Sequence, residues 1–367
     1  MELTVTQENL TRALGAASRV ASSKTQLPIL GNILFRTDGH RLMVAATNLE
    51  IATTQHIGAK IVNKGAITVP ARLITEFVAS LPKTAVTLQV TDNKLHITAD
   101  GYKSTINGTL ADDFPELPTI NDKTAVSYAI DAASLKQSIG QTILTASNDA
   151  TRPVLTGVYW HSYDGALYLA ATDGYRLSEK RLVDTKSEVS AIIPTNTLQE
   201  VLRLLGDDTE EVEVLFDDSQ VRFRLNDTEI TSRLIDGNFP DYRQLIPVES
   251  ETVITVSRSN LAQITKVAGL FARESGGSVT ITADSEKDKI SLHSVASELG
   301  ENTSETDAEV SADGQVTLNS RYLTEALGVV DADTVIFRFS GKLSPCVLSA
   351  VDKKQADYLH VIMPLKS

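Results

Sequence analysis

The chain has 367 residues, with 34 basic and 47 acidic side chains and a formal net charge of −13. That balance argues against a basic protein that coats nucleic acid or binds anionic membranes, and a hydrophobic share of 42% excludes wholesale disorder. The single cysteine, Cys346, excludes an intrachain disulfide framework and a cysteine-based structural zinc site. Polar residues interrupt the apolar positions after Met1, and no stretch approaches the roughly 20 apolar residues that cross a bilayer, so we expect a cytoplasmic protein.

In chain order, the first elements are one strand, one helix and three strands. A strand at 2–5 precedes a helix in which Leu10, Ala13, Leu14 and Ala17 fall at helical spacing. Alternating polar and apolar residues then predict strands at 33–36, 41–45 and 51–57. The same order follows a second time, as a strand at 66–69, a helix at 71–81 and strands at 85–90, 94–99 and 102–110.

The whole chain also repeats itself. Residues 28–34 (PILGNIL) recur at 153–159 (PVLTGVY), and residues 42–47 (LMVAAT) recur at 167–172 (LYLAAT), both at an offset of 125. A third, fainter copy aligns Leu261 with Leu10 and Leu135. We therefore predict an α+β chain of three domains at 1–122, 123–248 and 249–367, each built from two βαβββ halves. Three unrelated domains of similar composition are the alternative.

The six predicted helices carry a charge opposite in sign to the rest of the chain. Taken as 7–24, 71–80, 132–147, 196–205, 258–274 and 320–330, they hold ten basic and five acidic residues. The helices therefore sum to +5 and the remaining chain to −18. If the helices share one face, that face is positive. The alternative is enrichment of Arg and Lys by helix propensity, which would enrich Glu equally.

The sequence contains none of the short motifs that mark a catalytic or metal site. Its six histidines show no HxxxH or HExxH spacing, and GxGxxG, P-loop and GxSxG motifs are absent. Cys346 lies in an apolar run that is typical of a buried, unreactive thiol. We therefore expect a protein that is not an enzyme and that has no catalytic residues, metal or cofactor.

Two segments depart from the repeat pattern. Residues 172–177 (TDGYRL) follow an apolar strand, where the first repeat has TNLE at 47–50. Such a departure suggests a function that only one repeat performs. The second segment, 361–365 (VIMPL), is apolar where a chain terminus is usually polar and frayed. An ordinary final strand that ends at Pro364 is the alternative for this second segment.

Five motifs together resemble the bacterial sliding clamps, the beta subunits of DNA polymerase III, and the resemblance extends over the full length. The motifs are 27–32 (LPILGN), 69–72 (VPAR), 171–177 (ATDGYRL), 239–243 (FPDYR) and 361–365 (VIMPL). The resemblance implies three domains of the DNA-clamp fold and a head-to-tail homodimer that closes into a ring, with helices lining the hole and sheets outside. It further implies a processivity factor on duplex DNA that tethers the replicative polymerase, the clamp loader and repair proteins through short peptide motifs.

The resemblance also implies a pocket for those peptides between the second and third domains. The matching positions are Leu155, Thr172, Gly174, Tyr175, Arg176, Leu177, Pro240, Leu245, Asn319, Tyr322, Val361, Ile362, Met363, Pro364 and Leu365. Two positions depart from the family pattern, because Tyr175 stands where a histidine is usual and Gln244 where an arginine is usual.

Contacts with DNA and with a second copy are implied in the same way. Lys24 and Arg152 match DNA-contact positions. Asp149 stands at a further contact position where the family has a neutral polar residue, and we expect the neighbouring Asn148 to make that contact instead. The helix cations Arg72, Arg203 and Lys266 complete the expected DNA-binding set. At the dimer interface, Leu270 and Phe271 match apolar positions that face a strand at 103–109 of the first domain. A scaffold or adhesin-like repeat protein without DNA is the competing hypothesis, and it predicts a monomer or an open array.

Overall fold

The structure is a computed structural model that describes residues 1–21, 27–298, 300–351 and 357–366. The described residues form six α-helices and 26 strands, as expected for a strongly patterned α+β chain. None of these helices is long and apolar enough to cross a membrane.

The first repeat has the predicted order of elements with one strand added. Its elements are β1 (Glu2–Thr6), α1 (Gln7–Val20), β2 (Asn32–Asp38), β3 (Arg41–Thr47), β4 (Ile51–Gly58), β5 (Lys60–Asn63), β6 (Ala66–Pro70), α2 (Ala71–Ala79), β7 (Ala85–Thr91), β8 (Lys94–Ala99) and β9 (Tyr102–Asn107). The sequence pattern does not predict β5, a short strand beside β1. The strand predicted at 102–110 ends at Asn107, because Thr109 leaves the β8 ladder and bridges to Thr68 instead.

The second and third repeats follow the same plan. The second contains β10 (Val126–Asp131), α3 (Ala132–Thr142), β11 (Gly157–Tyr163), β12 (Ala166–Thr172), β13 (Arg176–Asp184), β14 (Ser190–Pro194), α4 (Thr195–Leu204), β15 (Glu211–Phe216), β16 (Gln220–Leu225) and β17 (Thr228–Arg233). The third contains β18 (Thr252–Ser257), α5 (Arg258–Phe271), β19 (Ser278–Asp284), β20 (Lys289–Ala296), β21 (Gly300–Asp307), β22 (Glu309–Val310), β23 (Gly314–Asn319), α6 (Ser320–Val329), β24 (Thr334–Phe339), β25 (Cys346–Ala350) and β26 (Tyr358–Ile362).

Side-chain caps and a buried stripe account for the helices. Thr6 Oγ1 accepts a hydrogen bond from the Asn9 amide at the start of α1, and Ser257 Oγ accepts one from the Asn260 amide at the start of α5. On α1, Leu10 and the other apolar residues at helical spacing are buried. In the third repeat, apolar residues of both helices and of the surrounding sheets form one buried core, which includes Phe337 and Cys346. The helices therefore bury one face against sheets, as their periodicity predicts.

The two halves of each repeat exchange their first strands. Strand β1 pairs with β7 of the second half, and β6 pairs with β2 of the first half. The second and third repeats pair their first strands in the same crossed manner. Neither half is therefore a separate sheet, and the exchange ties the two halves of a repeat together.

Sheets also continue from one repeat into the next. Strand β4 pairs with β17 in an eight-stranded sheet, and β13 pairs with β26 in a nine-stranded sheet. The described chain accordingly separates into two compact units, 1–132 with 199–234 and 133–198 with 235–367, each of which joins strands of two repeats. The predicted domain boundaries at 122/123 and 248/249 stay a prediction.

Candidate functional site

The segment that departs from the repeat pattern forms a tight turn between β12 and β13. Asp173 Oδ1 accepts hydrogen bonds from the amides of Tyr175 (2.9 Å) and Arg176 (3.0 Å), and Thr172 Oγ1 donates to the Arg176 carbonyl (2.6 Å). Gly174 has φ +91°, a conformation that side-chain-bearing residues rarely adopt. The turn leaves the Tyr175 side chain 66% exposed, so an aromatic ring is presented to solvent.

The apolar C-terminal segment lies along this turn. Strand β26 pairs with β13, which places Ile362 opposite Arg176 and Val361 opposite Leu177. Beyond the strand, the Met363 amide donates to the Tyr175 carbonyl (2.9 Å), and the Leu365 amide donates to the Thr317 carbonyl (2.8 Å). Met363, Pro364 and Leu365 are only partly buried. The terminus is thus tied down by backbone bonds while its apolar side chains stay accessible.

Arg176 joins the turn to two other parts of the fold, helix α6 and the 143–145 segment. Its side chain is 7% exposed, and its guanidinium pairs with Asp173 (3.1 Å) and with Glu325 of α6. The same group donates to the Leu144 carbonyl (2.7 Å) and lies 4.5 Å from the ring centre of Tyr322. Burial opposes ionisation of Glu325, but bonds from Arg321 and Arg176 outweigh it and hold the pKa of Glu325 below its usual range. Arg176 is therefore fully committed to contacts within the protein.

Two further predicted pocket residues lie at the start of α6. Asn319 caps the helix by accepting from the Arg321 amide (2.9 Å), and its Nδ2 donates to the Gly276 carbonyl (3.2 Å). Tyr322 is partly buried beneath the Arg176 guanidinium.

Leu155 is buried in a single-turn 3-10 helix, Pro153–Leu155, whose last carbonyl accepts from the Ser147 amide (2.8 Å).

The remaining predicted pocket residues belong to the irregular segment that follows β17. Leu245 is 52% exposed and Pro240 is exposed, whereas Tyr242, between them, is buried. Tyr242 packs with Leu177, Val361, Ala170 and Val347 in one apolar cluster, and Ile246 packs against it. The cluster joins the 172–177 turn, the C-terminal strand and the 239–246 segment, so most of the predicted pocket residues are neighbours in space.

A polar network that the sequence analysis missed lies beside this cluster. The Tyr242 hydroxyl donates to Glu179 and lies 2.7 Å from His161 Nε2, and Arg243 Nη2 lies 2.8 Å from Glu179. Burial raises the pKa of Glu179, although the hydrogen bond from Tyr242 and the nearby Arg243 charge oppose the shift. Burial, with the nearby Arg243 charge, lowers the pKa of His161 to about 4. The FPDYR motif marks Tyr242 and Arg243, but their partners are distant in sequence.

The predicted DNA-binding residues differ in how free their charges are. Arg72 pairs with Glu76 one turn along α2 (2.8 Å), and Arg203 pairs with Glu200, which also accepts from Arg19 (2.7 Å). Lys266 and Arg152 are exposed and have no ion pair within the described part of the chain. Asn148 is exposed, and Lys24 lies outside the described residues.

The helix charge is slightly smaller than predicted. The observed helices hold eight basic and four acidic residues, a sum of +4. The difference is Lys24, which lies outside the described residues, whereas Arg273 and Glu274 follow the end of α5 at Phe271 and cancel each other. No group of three His, Cys, Asp or Glu side chains placed to hold a metal ion occurs among the described residues.

The predicted interface residues lie near an edge of a sheet. Leu270 is 52% exposed and Phe271 is partly buried, at the end of the helix that packs on β20 and β21. Strand β21 is the outermost strand of the four-stranded sheet, and β9 is the outermost strand of the five-stranded sheet. Each edge strand has an unpaired side among the described residues.

Comparison with known protein families matches almost the whole chain to the domains of one family. Three consecutive models match: the N-terminal domain of the DNA polymerase III beta subunit at 1–118, its central domain at 129–241 and its C-terminal domain at 243–366. Among curated proteins, the beta sliding clamp of Synechococcus elongatus is 29% identical over 100% of this chain and 99% of its own length. That of Staphylococcus aureus is 28% identical over the full length of both.

Solved structures agree with these matches. The DNA polymerase sliding clamp of Bacillus subtilis superposes with a TM-score of 0.95 at 27% identity, covering 100% of this chain and 99% of that one. A Pseudomonas aeruginosa clamp bound to griselimycin superposes with a TM-score of 0.93 at 25% identity, with full coverage of both chains. The predicted α+β clamp fold with three repeated domains is thereby confirmed.

Proposed function

The chain belongs to the DNA polymerase III beta subunit family, the sliding clamps of processive DNA replication, and on that premise we propose that it works as a homodimeric ring around duplex DNA. In this proposal it is a non-catalytic processivity factor in the cytoplasm. It retains the replicative polymerase, the clamp loader and repair proteins through short peptides that bind the pocket residues at 172–177, 240–245, 319–322 and 361–365. The sheet connectivity between repeats is the observation that carries the ring.

Two of the three repeat junctions that a ring needs are present within one chain. At each of them, the last strand of a repeat's first half pairs with the last strand of the next repeat: β4 with β17, and β13 with β26. The same rule applied to the third repeat pairs β21 with a β9, and the chain's own sheets leave both strands at an edge. A β9 from a second copy satisfies the rule head to tail, and two copies satisfy it twice, which closes a ring.

Side chains beside these edges support the same junction. The Leu270 side chain, half exposed at the end of α5, occupies the position that Arg19 occupies on α1. Arg19 binds Glu200 of α4, and the residue that corresponds to Glu200 in the first repeat is Glu76 of α2, one turn from Leu73, which is 52% exposed. We therefore place Leu270 and Phe271 against the partner's α2, where apolar contact replaces the Arg19–Glu200 ion pair.

A closed ring needs only weak contacts with the DNA that it encloses. Twelve helices from two chains, spaced 8–10 Å apart, span a circle roughly 30–38 Å across, and wider spacing gives a duplex more room. Lys266 and the other helix cations, together with Arg152 in the segment between α3 and β11, supply a sequence-independent, salt-sensitive attraction to phosphates. The acidic remainder of the chain disfavours DNA elsewhere. Because such a ring cannot leave sideways, the attached polymerase stays at high effective concentration without a tight grip on the DNA.

The peptide pocket combines features that suit a short peptide with aliphatic and aromatic anchors. Leu177 and Val361 form part of an apolar floor, Tyr175, Leu245 and Met363 offer accessible apolar surface, and the backbone around Gly174 is fixed by hydrogen bonds. Buried apolar anchors in a pre-formed site are the usual source of binding energy for such segments. The bound griselimycin of the Pseudomonas clamp supports a ligand site on this fold.

Retention on DNA of different topology tests the ring. After loading, the protein should stay on nicked circular DNA and slide off linear DNA through its ends, and linearising the circle should release it. Equal loss from both substrates would refute topological retention. A monomer at micromolar concentration would instead support the repeat-scaffold alternative.

A further inference from the structure

The 239–246 segment is anchored differently from its counterpart in the first repeat. There, Phe114 packs in an apolar cluster with Leu34, Met43 and Ala45. In the second repeat the residues equivalent to Leu34, Arg36, Met43 and Thr54 are Tyr159, His161, Tyr168 and Glu179. An apolar anchor has thus become an aromatic and charged one, in the repeat that contributes the 172–177 turn to the peptide pocket.

Arg243 lies at the centre of this anchor. Its guanidinium carbon lies 3.7 Å from the ring centre of Tyr163 and 4.6 Å from that of Tyr168, both on the β11–β12 hairpin. One of its nitrogens lies 2.8 Å from Glu179, whose carboxylate is 7% exposed. An arginine held between aromatic rings and a buried carboxylate is fixed in position more firmly than an exposed ion pair.

The neighbouring residues continue the anchor. The Tyr242 hydroxyl bonds to Glu179 and His161, and His161 stacks on Tyr159 with ring centres 4.6 Å apart. Tyr159 stacks in turn on Phe239 at 4.9 Å. The side chains of Phe239, Tyr242 and Arg243 therefore all belong to one network on the sheet. Pro240 and Leu245 lie within the same 239–246 segment.

The backbone of the segment gives little support of its own. Within the described residues its backbone hydrogen bonds are local: the Leu245 amide donates to the Tyr242 carbonyl (2.9 Å) and the Ile246 amide to the Arg243 carbonyl (3.1 Å). No strand pairs with it among the described residues. We propose that Arg243 and Tyr242 are positioning residues of the peptide pocket, which set its affinity by holding Pro240 and Leu245 against the 172–177 turn and the C-terminal strand. This inference rests on the proposed peptide-binding function.

The test measures peptide affinity and segment mobility together. The probe is a fluorescein-labelled pentapeptide with adjacent leucine and phenylalanine, followed by fluorescence polarisation on the full-length protein. We expect Arg243→Ala to weaken binding about tenfold, and Arg243→Lys about threefold, because lysine keeps the charge but loses the planar stacking surface. Tyr163→Leu, a change at a half-exposed site, should weaken binding about threefold and keeps the test open if Arg243→Ala fails to fold.

Hydrogen exchange on the unliganded variants supplies a readout that loss of a direct peptide contact would not move. The amides of Leu245 and Ile246 should exchange faster in Arg243→Ala and Tyr242→Phe than in the wild type. Arg233→Ala, which removes a 68% exposed arginine in the other compact unit, is the matched control and should change neither measurement. Trp160 is fully buried and lies in β11 next to Tyr159 and His161, so its fluorescence checks that the sheet is intact in each variant.

The outcomes separate the inference from its premise. Weaker binding with faster exchange supports positioning. Wild-type peptide affinity in both Arg243→Ala and Tyr163→Leu contradicts the positioning role but does not contradict the proposed peptide pocket. A wild-type protein that does not bind the peptide overturns the proposed pocket, and the positioning role with it. Weaker binding with unchanged exchange also overturns positioning, since Arg243 would then act on the peptide directly.

Discussion

The guanidinium of Arg176 lies over the ring of Tyr322, 4.5 Å from its centre, and so connects the 172–177 turn of the proposed peptide pocket to helix α6. The contact brings together residues that are 146 positions apart, and the buried guanidinium is also paired with Asp173 and Glu325. Removing this buried cation leaves the Asp173 carboxylate without its ion pair and leaves Glu325 with Arg321 alone.

Loss of Arg176 should therefore destabilise the protein as well as the pocket. We expect Arg176→Ala to lower the free energy of unfolding by about 3 kcal/mol, measured by urea denaturation. Arg321→Ala is the matched control, because Arg321 pairs with the same Glu325 from a 77% exposed position and should cost under about 1 kcal/mol. If the two variants lost equal free energies of unfolding, the burial of Arg176 would make no contribution to the stability of the protein.

Truncation of Met363 should weaken peptide binding without opening the ring. Its side chain is partly exposed at the proposed pocket while its amide is bound to the Tyr175 carbonyl, so Met363→Ala removes apolar contact surface and keeps the backbone in place. We expect a loss of about tenfold in peptide affinity and an unchanged dimer mass. Leu177→Ala should act in the same direction. Val62→Ala, at a 61% exposed site in the other compact unit, serves as the control. Unchanged affinity in Met363→Ala and Leu177→Ala would refute the pocket assignment.

A charge at Leu270 should separate the two subunits. Leu270→Asp places a carboxylate at a proposed apolar contact, where burial without a partner is strongly unfavourable, whereas the side chain is 52% exposed within one chain. Light scattering should give the monomer mass of 39.6 kDa for the variant and twice that for the wild type. Circular dichroism should be the same for both. A variant that remains dimeric contradicts this placement of the interface.

Cations without an internal partner should dominate the salt dependence of DNA binding. Lys266→Ala should lower the slope of log affinity against log salt by about one, since each phosphate contact contributes about that much. Removing the paired charges Arg72 and Glu76 together should leave the slope unchanged. Fluorescence anisotropy with a labelled duplex over a NaCl series measures both. If joint removal of Arg72 and Glu76 changed the slope more than Lys266→Ala does, the prediction that unpaired cations contribute more than paired ones would be wrong.

Acid should destabilise the fold through two buried histidines. Burial lowers the pKa of His161 to about 4 and that of His360 to about 3, whereas in the unfolded chain both bind a proton near the ordinary 6.5. Between these values the unfolded state binds more protons, so the free energy of unfolding falls as the pH falls from 6.5 towards 4.

The measurement compares thermal unfolding at about pH 7.5 and about pH 5. The wild type should lose several degrees of Tm on acidification, and His161→Gln should lose fewer. Glu179, whose raised pKa acts in the opposite direction, is present in both proteins and cancels in the comparison. His40→Gln changes an exposed histidine and should match the wild type. An identical pH response in wild type and His161→Gln would exclude His161 as a contributor.

Periodicity and internal repetition in the sequence determined the element order, the three repeats and the positions of the turns. These are local properties: the helical spacing from Leu10 to Ala17 and the alternation in the strands depend on residues a few positions apart. The departures at 172–177 and 361–365 also identified two segments that lie side by side in the fold and that we assign to the proposed peptide pocket, because repeat symmetry isolates them within the sequence.

Tertiary structure alone decided which strands pair and which side chains meet. The exchange of β1 and β6 between halves, and the pairing of β13 with β26, leave no periodic signal, because any strand with one apolar face could occupy those positions. The burial of Arg176 between Asp173 and Glu325, and of Glu179 between Tyr242 and Arg243, is likewise a product of packing. Arg176 and Glu325 are 149 positions apart, and Glu179 and Tyr242 are 63 apart, so these pairs meet only when the sheet is formed.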